Sequence, residues 1–193
     1  AARGDGRSDR EPLGPFVQMD EALVGGKGGP NKELVLVAAE ADGRVRLAHA
    51  ANNDEATLKR FADREIAADA AVTTDGLASY NGRSLGQREH AAVVQTKAER
   101  REQDALQAVH WTVSLCKRWL LGTHAGAVRR KHLQAYLDEF AFRHNRRRTS
   151  GVARIAARVI EGLVESKPLT VRRLVRDTKP CRWFTPPQPE LSR

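Results

Sequence analysis

Asp20, Asp75, His110 and Lys117 are the residues of this 193-residue chain whose types and spacing could hold a divalent cation next to a phosphate. Asp20 closes an alternating apolar–polar stretch, Phe16-Val17-Gln18-Met19-Asp20, which predicts a strand ending at the carboxylate. Asp75 follows the apolar run 70–74 (AAVTT), which predicts a second strand, and precedes Gly76. If the two strands are neighbours, both carboxylates converge at one end of a sheet. Hard cations such as Mg²⁺ take oxygen ligands and keep positions open for water and phosphate. Two carboxylates sharing such ions can activate an attacking oxygen and steady a leaving one, as displacement at a phosphodiester requires. An Asp before Gly is also an ordinary turn residue, and an Asp at a strand end can cap the next turn, so neither aspartate decides the matter alone.

The third member is expected on a helix. His110 lies 35 residues beyond Asp75, and Lys117 lies seven beyond His110, so two helical turns put both on one face. An imidazole can ligate metal and a lysine further along can grip a phosphate. Magnesium prefers oxygen, and manganese tolerates the nitrogen of His110 better. The bland alternative is a half-buried histidine with satisfied ring nitrogens.

The elements that must position these groups follow from punctuation and period. After the first strand, 25–31 (GGKGGPN) is a loop, 33–40 a buried strand, Asp42-Gly43 a turn and 44–50 a third strand, which together predict an antiparallel meander. Asn53-Asp54-Glu55 predicts a helix start, with Leu58, Phe61 and Ala62 at helical spacing. A short helical piece is expected near Tyr80-Asn81-Gly82, a weaker strand over 89–95, and a long helix over 103–121 stopped by Gly122. A second long helix is expected over 130–145, with Leu133, Tyr136, Leu137, Phe140 and Ala141 on one face. A short helix over 152–164 and a Pro-rich end complete the chain. This order predicts an α/β fold with a mixed sheet flanked by helices, compatible with the ribonuclease H type. The expected division is a disordered segment 1–12, a core 13–150 and a basic helix with a Pro-rich tail 151–193.

Charge is unevenly placed. Up to Cys116, 15 Lys and Arg stand against 18 Asp and Glu; from Lys117 onward, 18 stand against six. A basic back half suggests a polyanionic partner, DNA or RNA. The candidate phosphate contacts are Lys117, Arg118, Arg129, Arg130, Lys131, Arg143, Arg146, Arg147 and Arg148. Cations in a last helical turn also complement the helix dipole, although three consecutive arginines exceed that need. Trp111 and Trp119, eight residues apart, are expected in the core or as a base-stacking wedge. Two distant cysteines make no disulfide framework, and no apolar run or leader pattern suggests a membrane or export. A cytoplasmic, reducing location is expected, and Ala1 in place of Met suggests a fragment or processed product.

Three segments carry a resemblance. VQMDEALVGGK (17–27), TTDGLASYNG (73–82) and KRWLLGTH (117–124) with KHLQAYLDEFAFRHNRR (131–147) are similar to those of bacterial insertion-sequence DDE transposases. The likeness is to the small, ISXO2-like group that usually carries a zinc ribbon before its core. It implies a ribonuclease-H-like fold, Mg²⁺ or Mn²⁺ as cofactor, transposon ends and target DNA as partners, and a homo-oligomeric synaptic complex. It further implies that Asp20 and Asp75 are the first two catalytic residues and that His110 stands where the family often has Glu. Lys117 resembles the basic residue seven positions on, and Glu21 a residue commonly found beside the first aspartate. The chain departs at His110, at Leu115 where a branch often has Asn, at Leu23 where Tyr is usual, and in having no ligand-spaced cysteine pair. These departures point to one alternative, a decayed remnant that only binds DNA; a second alternative is a structure-specific nuclease of the same fold.

Overall fold

The structure is a computed structural model and describes residues 11–25, 32–41, 43–124 and 130–165. Its elements run β1 (Phe16–Val24), β2 (Glu33–Glu40), β3 (Val45–Ala50), α1 (Glu55–Glu65), β4 (Ala71–Thr74), α2 (Gly82–Leu85), β5 (Glu89–Ala92), α3 (Lys97–Glu102), α4 (Gln107–His124), α5 (Arg130–Asn145) and α6 (Val152–Glu165). The five strands form one sheet in the order β3-β2-β1-β4-β5. β1, β2 and β3 pair antiparallel, as the meander predicts, whereas β4 and β5 join in parallel. This is the mixed, helix-flanked sheet of a ribonuclease-H-like fold.

β2 explains why the sheet is covered on both faces. Its continuous apolar run sends Leu36 and Ala38 to one side and Val35, Val37 and Ala39 to the other. The first side packs on Leu58, Phe61 and Ala62 of α1. The second packs on Val109, Cys116 and Leu120 of α4 and on Leu133, Leu137, Phe140 and Ala141 of α5. Each fully buried Leu or Phe contributes roughly 1.5–3 kcal/mol. Burial pushes the Cys116 thiol up to about 12, so it packs as an inert apolar group. No helix among the described residues is long and apolar enough to cross a membrane.

Local chemistry sets the boundaries. Asp54 caps α1 by accepting the Thr57 amide at 2.8 Å, as its position predicts. α5 has the predicted span, and its expected apolar face is the one that packs. Several boundaries differ. β1 continues four residues past Asp20, because β2 accompanies it as far as Val24. β5 ends at Ala92 rather than at 95, and Val94 is exposed. A separate helix, α3, occupies residues assigned to no element, its start fixed by a reciprocal Thr96–Glu99 capping box. α4 begins at Gln107, not 103, and passes through Gly122 to His124. One helical glycine costs about 1 kcal/mol. Beyond it, His124 stacks on Tyr136 at 4.1 Å and meets Trp119 edge-on, which holds the last turn. His124 is therefore half-buried. The expectations for residues 1–10, for the loop at 26–31, for Asp42, for Arg129 and for the tail from 166 lie outside the described residues.

Candidate active site

Asp20 lies in the middle of β1 and not at its end, yet it still sits at a sheet opening. The parallel ladder matches Phe16 with Ala71, Val17 with Val72 and Gln18 with Thr73, an offset of 55 residues. Carried forward, that offset sets Asp20 level with Asp75. β4 ends at Thr74 while β1 runs on beside β2, so the pair lies where the sheet splits, at the carboxyl end of β4 and just past the end of its parallel pairing with β1. Crevices of this kind are where open α/β sheets place ligands.

The turn after β4 is built to present Asp75. Its Oδ1 accepts the Leu77 amide at 3.0 Å. Gly76 takes φ +83°, a conformation that favours glycine, and a Cβ there would come within 2.9 Å of Val94 Cγ2, so a larger residue would be strained. Thr74 Oγ1 accepts the Gly76 amide at 3.3 Å and lies 2.9 Å from His90 Nε2. Burial holds His90 below its ordinary value.

α4 brings the third group. His110 Nε2 stands 3.5 Å from Asp20 Oδ2, and its Nδ1 is 2.6 Å from Asp104 Oδ2. The helix has an unusual start: the side chain of Gln18, two residues before Asp20, accepts the amides of Ala108 and Val109 at 2.8 and 3.3 Å. Gln18 Nε2 also donates to Ala105 O at 3.0 Å. A side chain on β1 thus satisfies first-turn amides that a local cap ordinarily takes. Asp20, far in sequence from both, thus faces His110 directly and feels the charge of Asp75.

Glu21 points to the opposite layer, as strand alternation requires. It accepts from Tyr80 Oη at 2.5 Å and from Asn53 Nδ2 at 2.9 Å. Burial foremost, with the Glu21 charge adding, pushes the Tyr80 phenol far above its usual range, so it acts as a donor. This contact ties the segment following Asp75 to β1 from behind. Asn81 caps α2 through a capping box with Ser84, a structural part rather than a site.

Burial pushes the Asp20 carboxyl up to about 6, with the charges of Asp75 and Glu21 adding to it. The Glu21 amide, at 2.7 Å, and His110 oppose the rise. Between about pH 4 and 6 the folded chain keeps a proton that the unfolded chain has released, so stability falls as pH rises across that window. Asp20→Asn removes the buried charge. In EDTA it is expected to stabilise the fold at pH 7.5 by on the order of 2 kcal/mol, roughly 4–8 °C in melting temperature. The gain should vanish near pH 4; thermal melts at both pH values check it, and an unchanged or lower melting temperature at pH 7.5 would contradict it.

Among the described residues, no cluster of three or more His, Cys, Asp or Glu forms a ready-made metal cage. The donors present nevertheless suit Mg²⁺, which is usually held by one or two carboxylates while water and substrate phosphate complete its shell. The repulsion between Asp75 and Asp20 is one that a cation would relieve.

The basic residues divide. Lys117, Arg118, Lys131 and Arg148 are exposed. Arg130 is exposed and stands 3.6 Å from Glu33. Arg143 pairs with Glu139 at 2.8 Å, Arg146 lies over the Phe142 ring at 3.9 Å, and Arg147 donates to Gly43 O and His144 O. Trp111 and Trp119 do not share a surface: Trp111 is 72% exposed, and Trp119 packs by Phe140. Leu121, beside the buried Leu120, is exposed. Sequence reasoning missed Asp104 and Gln18; an Asp three residues before a helix was the available signal for the first, and none existed for the second.

Among curated proteins, none matches the chain. The family described as the ISXO2-like transposase domain matches residues 12–145, which include every strand and the whole of the Asp20–Asp75–His110 site. The chain therefore belongs to the ISXO2-like transposase domain family, within the DDE superfamily of insertion-sequence transposases.

Proposed function

We propose that this chain cleaves DNA at the ends of its insertion sequence and joins the freed 3′ ends to target DNA by metal-dependent phosphoryl transfer. The observation that carries this reading is the parallel pairing of β1 with β4, which sets Asp20 level with Asp75, while His110 of α4 stands 3.5 Å from Asp20. Asp20, Asp75 and His110 are the residues that would hold Mg²⁺ or Mn²⁺. When bound, such ions ease ionisation of the attacking oxygen and offset charge on the leaving one. Asp20 must give up its proton to serve, and the cation favours that loss. Gly76 and the Tyr80–Glu21 contact hold the two carboxylates in place while a phosphate arrives.

DNA would lie along the exposed side of α4, where Lys117 is roughly 10 Å along the helix from His110. Lys117, Arg118, Lys131 and Arg148 are the first choices for phosphate contacts, followed by Arg130 and Arg143. Arg146 and Arg147 are engaged by ring and carbonyl partners and serve α5 first. Lys117→Ala is expected to weaken binding similarly across sequences and to lower the slope of log K against log salt by about one. Filter binding at several salt concentrations measures both.

A second reading, a remnant that binds DNA without cutting it, is favoured by one observation, the lack of a three-donor cage among the described residues. Duplexes carrying the element's terminal repeats, incubated with the chain and Mg²⁺, Mn²⁺ or EDTA, separate the readings. Metal-dependent nicking followed by joining to a target plasmid is expected. Binding without nicking supports the remnant, and nicking of junctions or RNA–DNA hybrids without joining supports a nuclease.

A further inference from the structure

The contact between Asp104 and His110 is the best-built feature of the site that the residues of the proposed reaction leave unused. His110 can face Asp20 with Nε2 only if its ring is held in one orientation. Asp104 Oδ2 holds Nδ1 at 2.6 Å, and Asp104 Oδ1 is itself fixed by the Leu106 amide at 3.0 Å. The loop that carries Asp104 is anchored from two sides. Gln18 binds Ala105 O from β1. Gln95 accepts the Ala105 amide at 2.9 Å and donates to Gln103 O at 2.7 Å. Asp104 and His110 are both largely sheltered, with side chains 19% and 28% exposed. A carboxylate on the far nitrogen fixes the tautomer of a ligating histidine and raises its basicity.

We propose that Asp104 is a positioning residue for His110: it holds the Nδ1–H, so that Nε2 offers its lone pair toward Asp20 and the cation shared there. The proposal rests on the reading of Asp20 and Asp75 as metal carboxylates. It also explains how a histidine serves at this position. The negative charge that an acidic ligand would supply directly is supplied one bond further out, through the ring.

The test is Mn²⁺ binding to the full chain, monitored by electron paramagnetic resonance of the free ion, with no reaction required. Asp104→Ala is expected to weaken binding about 10–100-fold. Asp104→Asn, whose amide oxygen can still accept the Nδ1–H, is expected to keep affinity within about fivefold of the parent chain. In a His110→Ala background, Asp104→Ala should add no more than about twofold, because the ring it positions is gone. An equal loss in both backgrounds would make Asp104 an independent ligand or a structural residue and would overturn the proposal. So would unchanged affinity in Asp104→Ala while Asp20→Asn abolishes binding, an outcome that leaves the metal reading intact. Mn²⁺ binding that is absent, or indifferent to Asp20→Asn, would overturn that reading and the positioning role with it.

Discussion

Asp75→Asn is expected to lower strand cleavage by at least about a thousandfold and to leave DNA affinity within about threefold of the parent chain. A carboxylate that holds a cation opposite a phosphodiester contributes several kcal/mol to the transition state, and about 4 kcal/mol corresponds to a thousandfold in rate. Asn keeps the side-chain oxygen that accepts the Leu77 amide, so the turn and its Gly76 geometry should persist. The exposed lysines and arginines of α4 and α5 lie elsewhere, so affinity, which is mostly electrostatic, should survive. Single-turnover cleavage and filter binding measure the two properties separately. Cleavage within tenfold of the parent would remove Asp75 from the chemistry, and a parallel loss of binding would make it a structural residue.

Arg88→Met is expected to destabilise the fold by about 4 kcal/mol, the largest stability effect anticipated for a single polar side chain here. Hydrogen bonds from a charged donor each contribute about 1.5–3 kcal/mol, and the total is less than additive. Arg88 donates to the carbonyls of Ala62, Ile66, Ala67 and Leu85 at 2.9–3.1 Å and pairs with Asp63 at 3.2 Å. It thereby closes the carboxyl end of α1, adding a second donor to Ala62 O, which already accepts the Ile66 amide, and ties that end to α2 just before β5. Met fills much of the same volume and satisfies none of those oxygens. Lys restores the charge without the planar fork and should recover only part of the loss. Urea unfolding checks the order parent, Lys, Met; a Met variant within 1 kcal/mol of the parent would mean that water or other donors satisfy the carbonyls.

The features legible in the sequence were those that rest on neighbours in the chain. The meander followed from its apolar runs and turn residues, α5 from an apolar stripe of helical period, and α1 from Asp54 as its cap. The two aspartates stood out because each comes after an apolar run. The parallel pairing of β1 with β4, which makes them neighbours, joins segments 55 residues apart and leaves no local trace. The start of α4 was misplaced for the same reason: its first amides are taken by Gln18, about 90 residues away. Asp104 was overlooked because residues 103–106 read as the first turn of a helix, whereas they form the anchored loop before it. α3 was legible and missed, since Thr96 and Glu99 spell a capping box. Residues of the basic cluster at 143–148 were distinguishable only by their partners, which no run of arginines reveals.

Joint holding of a divalent cation by the Asp20 and Asp75 carboxylates is the claim on which the proposed chemistry depends. Crystals soaked in Mn²⁺, with diffraction data collected at the manganese absorption edge, test it most directly. An anomalous peak within ligand distance of both carboxylates, and lost in Asp75→Asn, is the expected result. A peak elsewhere, or carboxylates that stay unmetallated at millimolar Mn²⁺ with DNA bound, would contradict it.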